Sequence, residues 1–141
     1  MRLALAQLNV VVGDVDGNVA RLTGAIAAAS RAGADLVVLP ELAVTGYPPE
    51  DLLLRPGFVR AAREAVDEVA RACTDTVALV GAPAFERDLA NAAFVCADGA
   101  VAGGPGCQTS SQIVGATSTS PSSRRRRSRP RAKYRCSSNT P

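Results

Sequence analysis

The stretch Leu39-Pro40-Glu41-Leu42-Ala43-Val44-Thr45-Gly46-Tyr47-Pro48-Pro49-Glu50-Asp51-Leu52-Leu53 gathers the residue types best suited to chemistry in this 141-residue chain. Glu41 stands one proline beyond the apolar run Leu36-Val37-Val38-Leu39. α/β sheets present their reactive groups at such strand ends, and a carboxylate partly desolvated there is suited to general-base work. From the residues alone, a helix-capping or surface glutamate is the alternative. Histidine is absent, which removes the commonest base and metal ligand. The cysteines Cys73, Cys96, Cys107 and Cys136 follow neither a CxxC spacing nor a dense disulfide framework, so no metal site is expected.

The elements that must position Glu41 read as alternating strands and helices. Arg2 to Val10, with Leu3, Leu5 and Leu8 among small residues, predicts a buried first strand. Gly13-Asp14 and Asp16-Gly17-Asn18 mark a loop, from which Asp16 or Asn18 could cap a helix. Val19, Leu22, Ile26 and Ala29 recur at helical spacing, and Gly33 ends that helix. Leu36 to Leu39 fits a strand covered on both faces. Phe58, Ala61, Ala62, Ala65, Val66, Val69 and Cys73 form the stripe of a second helix. Val77 to Val80 predicts a third strand, and 91–102 a hairpin around Asp98-Gly99. The order βαβαβ plus hairpin gives the class α/β.

Charge divides the chain. Residues 1–103 hold all thirteen acids against eight arginines, whereas 104–141 hold seven arginines and Lys133 with no acid. The expected division is therefore a domain part, 1–103, and a basic Ser/Arg-rich tail, 104–141. With Ile113 and Val114 as its only branched aliphatics, the tail cannot offset backbone ordering and is expected to be disordered. Arg124 to Arg127 would bind phosphate backbones in a salt-sensitive way, as in a basic-tailed nucleic-acid-binding adaptor. Only Tyr134 could stack on a base, which argues against specific nucleic-acid recognition and for a solvated charge run. A nucleotide-binding module is disfavoured because Gly13-Asp14 puts a carboxylate where a phosphate loop would stand. No apolar run approaches the ~18 residues of a membrane span, no signal peptide is expected, and a reducing cytoplasm is the expected compartment.

Leu39-Pro40-Glu41 and its continuation resemble the glutamate motif of the nitrilase (carbon–nitrogen hydrolase) superfamily. Gly46-Tyr47-Pro48-Pro49-Glu50-Asp51-Leu52-Leu53 is similar, more narrowly, to the glutaminase domain of glutamine-dependent NAD synthetases. Ala6-Gln7-Leu8-Asn9, Val12-Gly13-Asp14, Asn18, Val80-Gly81-Ala82-Pro83 and Asn91-Ala92-Ala93 agree, in order, from Met1 to about Gly103. The resemblance implies the first part of an αββα sandwich. It also implies Glu41 as catalytic base and Tyr47 on the substrate side of the same loop, the alternative for Tyr47 being an aromatic packed over the loop. In the family a cysteine thiolate attacks the amide of glutamine, a lysine ammonium stabilises the oxyanion, and the glutamate moves the protons. The resemblance further implies no cofactor for the glutaminase part, ATP and magnesium for a synthetase domain absent from this chain, and a homo-oligomeric full-length protein. A fragment of another nitrilase-superfamily amidase is the alternative within that superfamily.

The family's lysine should follow the hairpin, before Leu-Pro-Asn and Phe-Asp-Glu, but no lysine occurs before Lys133. None of the four cysteines is a credible nucleophile. Shifting the codon frame from Ser110 permits Leu-Pro-Asn at Ser110 to Ile113, glycine at Val114/Gly115 and Phe-Asp-Glu across Thr117 to Ser120, with one extra residue and without the lysine. A frameshifted gene is therefore expected. So are an inactive chain and, with sheet edges left open, poor solubility or partial unfolding.

Overall fold

In chain order the elements are β1 (Leu3–Leu5), α1 (Val15–Arg31), β2 (Leu36–Val38), a 3-10 turn (Glu50–Leu54), α2 (Pro56–Arg71), β3 (Val77–Phe85), β4 (Leu89–Ala97) and β5 (Ala100–Gly103). The structure, a computed structural model, describes residues 1–85 and 87–105. The expectations for the tail from 106 onward lie outside the described residues.

One sheet of order β1-β2-β3-β4-β5 results, with β1, β2 and β3 parallel and β3, β4 and β5 antiparallel neighbours. Both helical crossovers step the same way across the sheet, and crossovers of one hand then leave both helices on one face. Val19, Leu22, Ile26 and Ala29 of α1 and Ala62, Ala65, Val66, Val69 and Ala70 of α2 join Val37, Ala78, Val80, Ala82, Phe94, Cys96 and Val101 in a single core. Arg63 bridges to Asp67 at 2.7 Å and stacks its guanidinium 5.3 Å from the centre of the Phe94 ring.

The other face explains where the strand expectations fail. The buried first strand is only three residues long, and Leu3 and Leu5 are 50% and 76% exposed. Side chains alternate across a strand, so Ala4 and Ala6 meet the core while Leu3 and Leu5 point away from the helices. Likewise β2 is not covered on both faces, because Val37 is buried while Leu36 and Val38 are only half-buried. Leu5, Val38, Leu79 and Val95 are partners in register, which makes an apolar row across that second face.

Three local expectations also shift. The cap of α1 is Asp14, whose carboxylate accepts from the Gly17 amide at 3.0 Å, and not Asp16 or Asn18. In α2 the stripe includes buried Ala70, while Ala61 is exposed. β3 continues past Val80 through Gly81 and Pro83 to Phe85. Its register with β2 stops at Leu79, and a proline is tolerated where a strand has a free side. The Asp98-Gly99 turn forms as expected, both residues having positive φ.

Candidate active site

Glu41 stands at the C-terminal end of β2, where the chain leaves the sheet and then rejoins it. Leu39 N–H bonds Leu79 O at 3.1 Å, and Val44 N–H bonds Gly81 O at 3.3 Å, so residues 40–43 form an excursion beside β3. The excursion lies against Gly81. A Cβ there would come within 2.6 Å of Leu42 N and 2.7 Å of Pro40 O, so only glycine lets the backbone pass this close. Leu42 takes a left-handed φ of 47°, and its carbonyl accepts from Thr45 N–H at 3.1 Å and from Gly46 N–H at 2.8 Å. The buried Thr45 hydroxyl donates to the carbonyl oxygens of Leu42 and Gly46.

Asn18 fixes this turn from below. Its buried side-chain amide donates to Val11 O at 2.7 Å and to Val44 O at 3.1 Å, and its Oδ1 accepts from Val11 N–H at 2.9 Å. Gly13 N–H bonds Thr45 O at 2.9 Å, and a Cβ on Gly46 would lie 2.6 Å from Val12 Cα. The loop after β1 and the loop after β2 are thus one hydrogen-bonded unit. Asn18, expected as a possible helix cap, is its central tie.

Of the sequence-predicted site residues, Glu41 and Tyr47 lie at the two ends of the buried segment Leu42 to Gly46, and both are exposed. Tyr47, at 64% exposure and joined to Pro48 by a cis peptide, is not packed over the loop. Glu41 is exposed rather than desolvated as expected, since among the described residues no helix lies on this face of the sheet. The residue that the sequence quoted without a role is Asn91. Its side-chain amide donates to Glu41 Oε1 at 2.5 Å. Asn91 pairs with Pro83 in the β3–β4 ladder, so the contact joins β4 to the end of β2 across β3. The signal available beforehand was its place in Asn91-Ala92-Ala93.

No cysteine comes near this pair. Cys96 is five residues from Asn91 along β4, about 17 Å at the strand rise, and on the helix-covered face. Cys73 is buried just past the end of α2. Among the described residues there is no lysine, and no three His, Cys, Asp or Glu side chains converge to hold a metal ion. No helix among them is long and apolar enough to cross a membrane. A cleft of about 660 Å³ opens between Gly13 to Asp16 and the Ala61 to Arg71 face of α2, and residues 40–50 do not line it.

Residues 2–118 match the carbon-nitrogen hydrolase family. The chain is 45% identical over 103 residues to a glutamine-dependent NAD(+) synthetase of Xylella fastidiosa, which covers 72% of this chain and 19% of that protein. Among solved structures it superposes on a glutamine-dependent NAD(+) synthetase from Cytophaga hutchinsonii with a TM-score of 0.71 and 32% identity, over 74% of this chain and 18% of that one. It superposes on an amidase from Nesterenkonia sp. with a TM-score of 0.64 and 28% identity, over 74% and 41% of the two chains. The chain thus spans about a fifth of the length of the synthetases it matches.

Proposed function

The chain belongs to the carbon-nitrogen hydrolase family and is homologous to the glutaminase domain of glutamine-dependent NAD synthetase, and from that premise we propose that residues 1–103 are the amino-terminal part of such a domain, with Glu41 as its general base and Tyr47 on the substrate side. The observation that carries this reading is the placement of Glu41. Its backbone is held by the Asn18-tied turn and passed over Gly81, and its carboxylate is oriented by Asn91. A base held from two directions keeps one geometry through a reaction, which is what proton transfer to and from a reacting group requires.

The chemistry proposed for the complete site is amide hydrolysis of glutamine. A thiolate adds to the carbonyl carbon, an ammonium holds the oxyanion, and the tetrahedral adduct expels ammonia to leave a thioester that water cleaves. The base takes the thiol proton, delivers it to the departing ammonia, and then deprotonates the attacking water. Residues 1–105 contribute the base and the loop that carries it. Their two cysteines are buried away from Glu41 and they contain no lysine, so in this proposal the described residues by themselves release no ammonia from glutamine.

ATP and magnesium do not fit the described residues, where Gly13-Asp14 follows β1 and no ligand cluster forms. In this proposal they belong to a synthetase domain outside this chain, and the compartment is the cytoplasm. The division at residue 103, and the origin of the basic segment after it in a shifted reading frame, are parts of the same proposal.

The test is genetic and enzymatic together. Sequencing the locus should reveal Leu-Pro-Asn and Phe-Asp-Glu in the alternative frame after codon 109. The protein made from the restored frame should release ammonia from glutamine, and Glu41→Gln should lower that rate by roughly a thousandfold or more. A locus without those motifs overturns the shifted frame. A restored protein indifferent to Glu41→Gln overturns the assignment of the base.

A further inference from the structure

Among the described residues, the helices leave one face of the sheet bare. Leu3, Leu36 and Val77 are register partners across β1, β2 and β3, and two residues further on Leu5, Val38, Leu79 and Val95 form a second row that reaches β4. Side chains alternate along a strand, so both rows point away from the core that Val37, Ala78 and Cys96 join. The two leucines of β1 are exposed, the other side chains of the rows are half-buried, and every one of them is apolar. The ends of this band are polar. At one end the excursion at residues 40–43 crosses over Gly81, two residues beyond Leu79 on the same face, and carries Glu41 to its partner Asn91. At the other end Asp35 accepts from Arg2 N–H at 2.7 Å and lies 3.9 Å from the amino terminus. An apolar band between polar ends has the anatomy of a protein–protein interface.

We propose that this face docks a second copy of the chain, the two sheets stacking into a four-layer dimer with the helices outermost. Charge selects the occupant. Residues 1–103 hold thirteen acids against eight arginines, so two such bodies repel in most orientations. The outer sides of the helices present exposed charges, Arg21 and Arg31 on α1 and Arg60, Glu64 and Glu68 on α2. The two rows carry none, so here two copies meet without opposing like charges and without stripping ions of water. Residues 106–141, whose only branched aliphatics are Ile113 and Val114, offer too little apolar surface to cover both rows.

Shape and area agree with that choice. Two sheet faces pack about 10 Å apart with their leucine and valine side chains interdigitated. A two-fold axis between them sets the same band on both copies and closes the association at two. Five strands spaced by about 4.8 Å make the face about 24 Å wide, and nine-residue β3 makes it about 30 Å long, so each copy contributes at most about 700 Å². A standard interface takes about 800 Å² per partner, which puts this dimer at the lower end of specific ones and its Kd in the micromolar range. The edge strands β1 and β5 stay open in this arrangement, so edge pairing is a separate route of association that does not close at two.

This inference does not depend on the proposed glutaminase reading. The test is sedimentation velocity on the full chain, with dithiothreitol present so that no disulfide joins two copies. Over about a hundredfold range of concentration the mass should rise from the 14.5 kDa of one chain to twice that value and level off there. Val38→Lys sets a charge in the middle of the second row on both copies and should weaken the dimer by roughly a hundredfold or more. Val38→Thr keeps the branched shape and the strand preference, so it tests the contact even where the lysine variant fails to fold, and it should weaken the dimer by roughly tenfold. Ala27→Lys adds the same charge on the exposed side of α1 and should leave the Kd within about twofold. A chain that stays monomeric throughout, as it would with residues 106–141 laid over its own sheet, overturns the proposal. So does a dimer indifferent to both Val38 variants, or growth past two copies that neither variant slows, which would assign the association to the edge strands.

Discussion

Asn91 and Glu41 are fifty residues apart in the chain, yet the side-chain amide of one donates to the carboxylate of the other. The bond spans β3, joining the end of β2 to β4. Both residues are exposed, so water competes for each group and the bond orients more than it stabilises. Asn91→Ala is expected to cost about 0.5–1 kcal/mol or less in urea unfolding. In the restored-frame protein the same variant should lower kcat far more than that cost suggests, and a kcat unchanged within twofold would remove its role in orienting the base.

Gly81→Ala should act on the same site from the backbone. The added methyl meets main-chain atoms of Pro40 and Leu42, which cannot swing aside as a flexible side chain could. A loss of about 1–3 kcal/mol is expected, with faster amide hydrogen exchange concentrated in residues 40–46. Gly24→Ala, at a helical position with open space around it, serves as the control and should leave stability equal or slightly higher.

Asn18→Ala removes the three hydrogen bonds to Val11 and Val44, together with the one its Oδ1 accepts from Arg21, and leaves the Val11 and Val44 groups without side-chain partners. An unsatisfied buried polar group costs about 1–3 kcal/mol. The midpoint of unfolding should drop accordingly, and the loops after β1 and β2 should loosen together in hydrogen exchange. Loosening of one without the other would contradict their description as one unit.

Acid sensitivity should trace in part to Asp14. The Arg21 guanidinium, 3.1 Å away, and the Gly17 amide hold its carboxyl below the ordinary aspartate range. A carboxyl depressed in the folded state binds protons more readily when unfolded. Its contribution is therefore present above the ordinary aspartate value and is lost as pH falls through the lower folded value. Asp14→Asn should flatten the fall of stability below about pH 4, and Arg21→Ala should reproduce part of that flattening. An unchanged slope in both variants would assign the acid sensitivity elsewhere.

Leu5 lies on the sheet face without helices, in register with Val38, Leu79 and Val95. β1 and β5 are also edge strands of this sheet. Such surfaces recruit other chains, so the purified chain should form concentration-dependent aggregates and bind hydrophobic dyes. Leu5→Lys should reduce both with little change in unfolding free energy. A monomer that melts sharply and cooperatively with no dye binding would contradict this account.

The element order was legible in the sequence because it rests on local physics. Val19, Leu22, Ile26 and Ala29 could bury one face only as a helix, and Asp98-Gly99 could turn tightly only with positive φ. Glu41 and Tyr47 were legible as residues of interest because the stretch between Leu39 and Leu53 carries both in a distinctive pattern. Its geometry was not. Leu3 and Leu5 looked like core from composition, since hydrophobicity records what a residue prefers and not which face a second layer covers. Asn18 looked like a cap because its type suits one, while the groups it bonds at Val11 and Val44 belong to two separate loops.

By itself, then, the sequence determined the strand–helix alternation, the acidic body distinct from its basic end, and the stretch from Leu39 to Leu53 in which Glu41 stands. Tertiary structure decided what holds the Glu41 carboxylate and which face of the sheet the helices among the described residues leave uncovered. The physical reason is that periodicity and turn chemistry act over a few residues. Contacts such as Asn91 to Glu41 depend on strand register and on the approach of one backbone to a glycine, and neither exists until the sheet has formed.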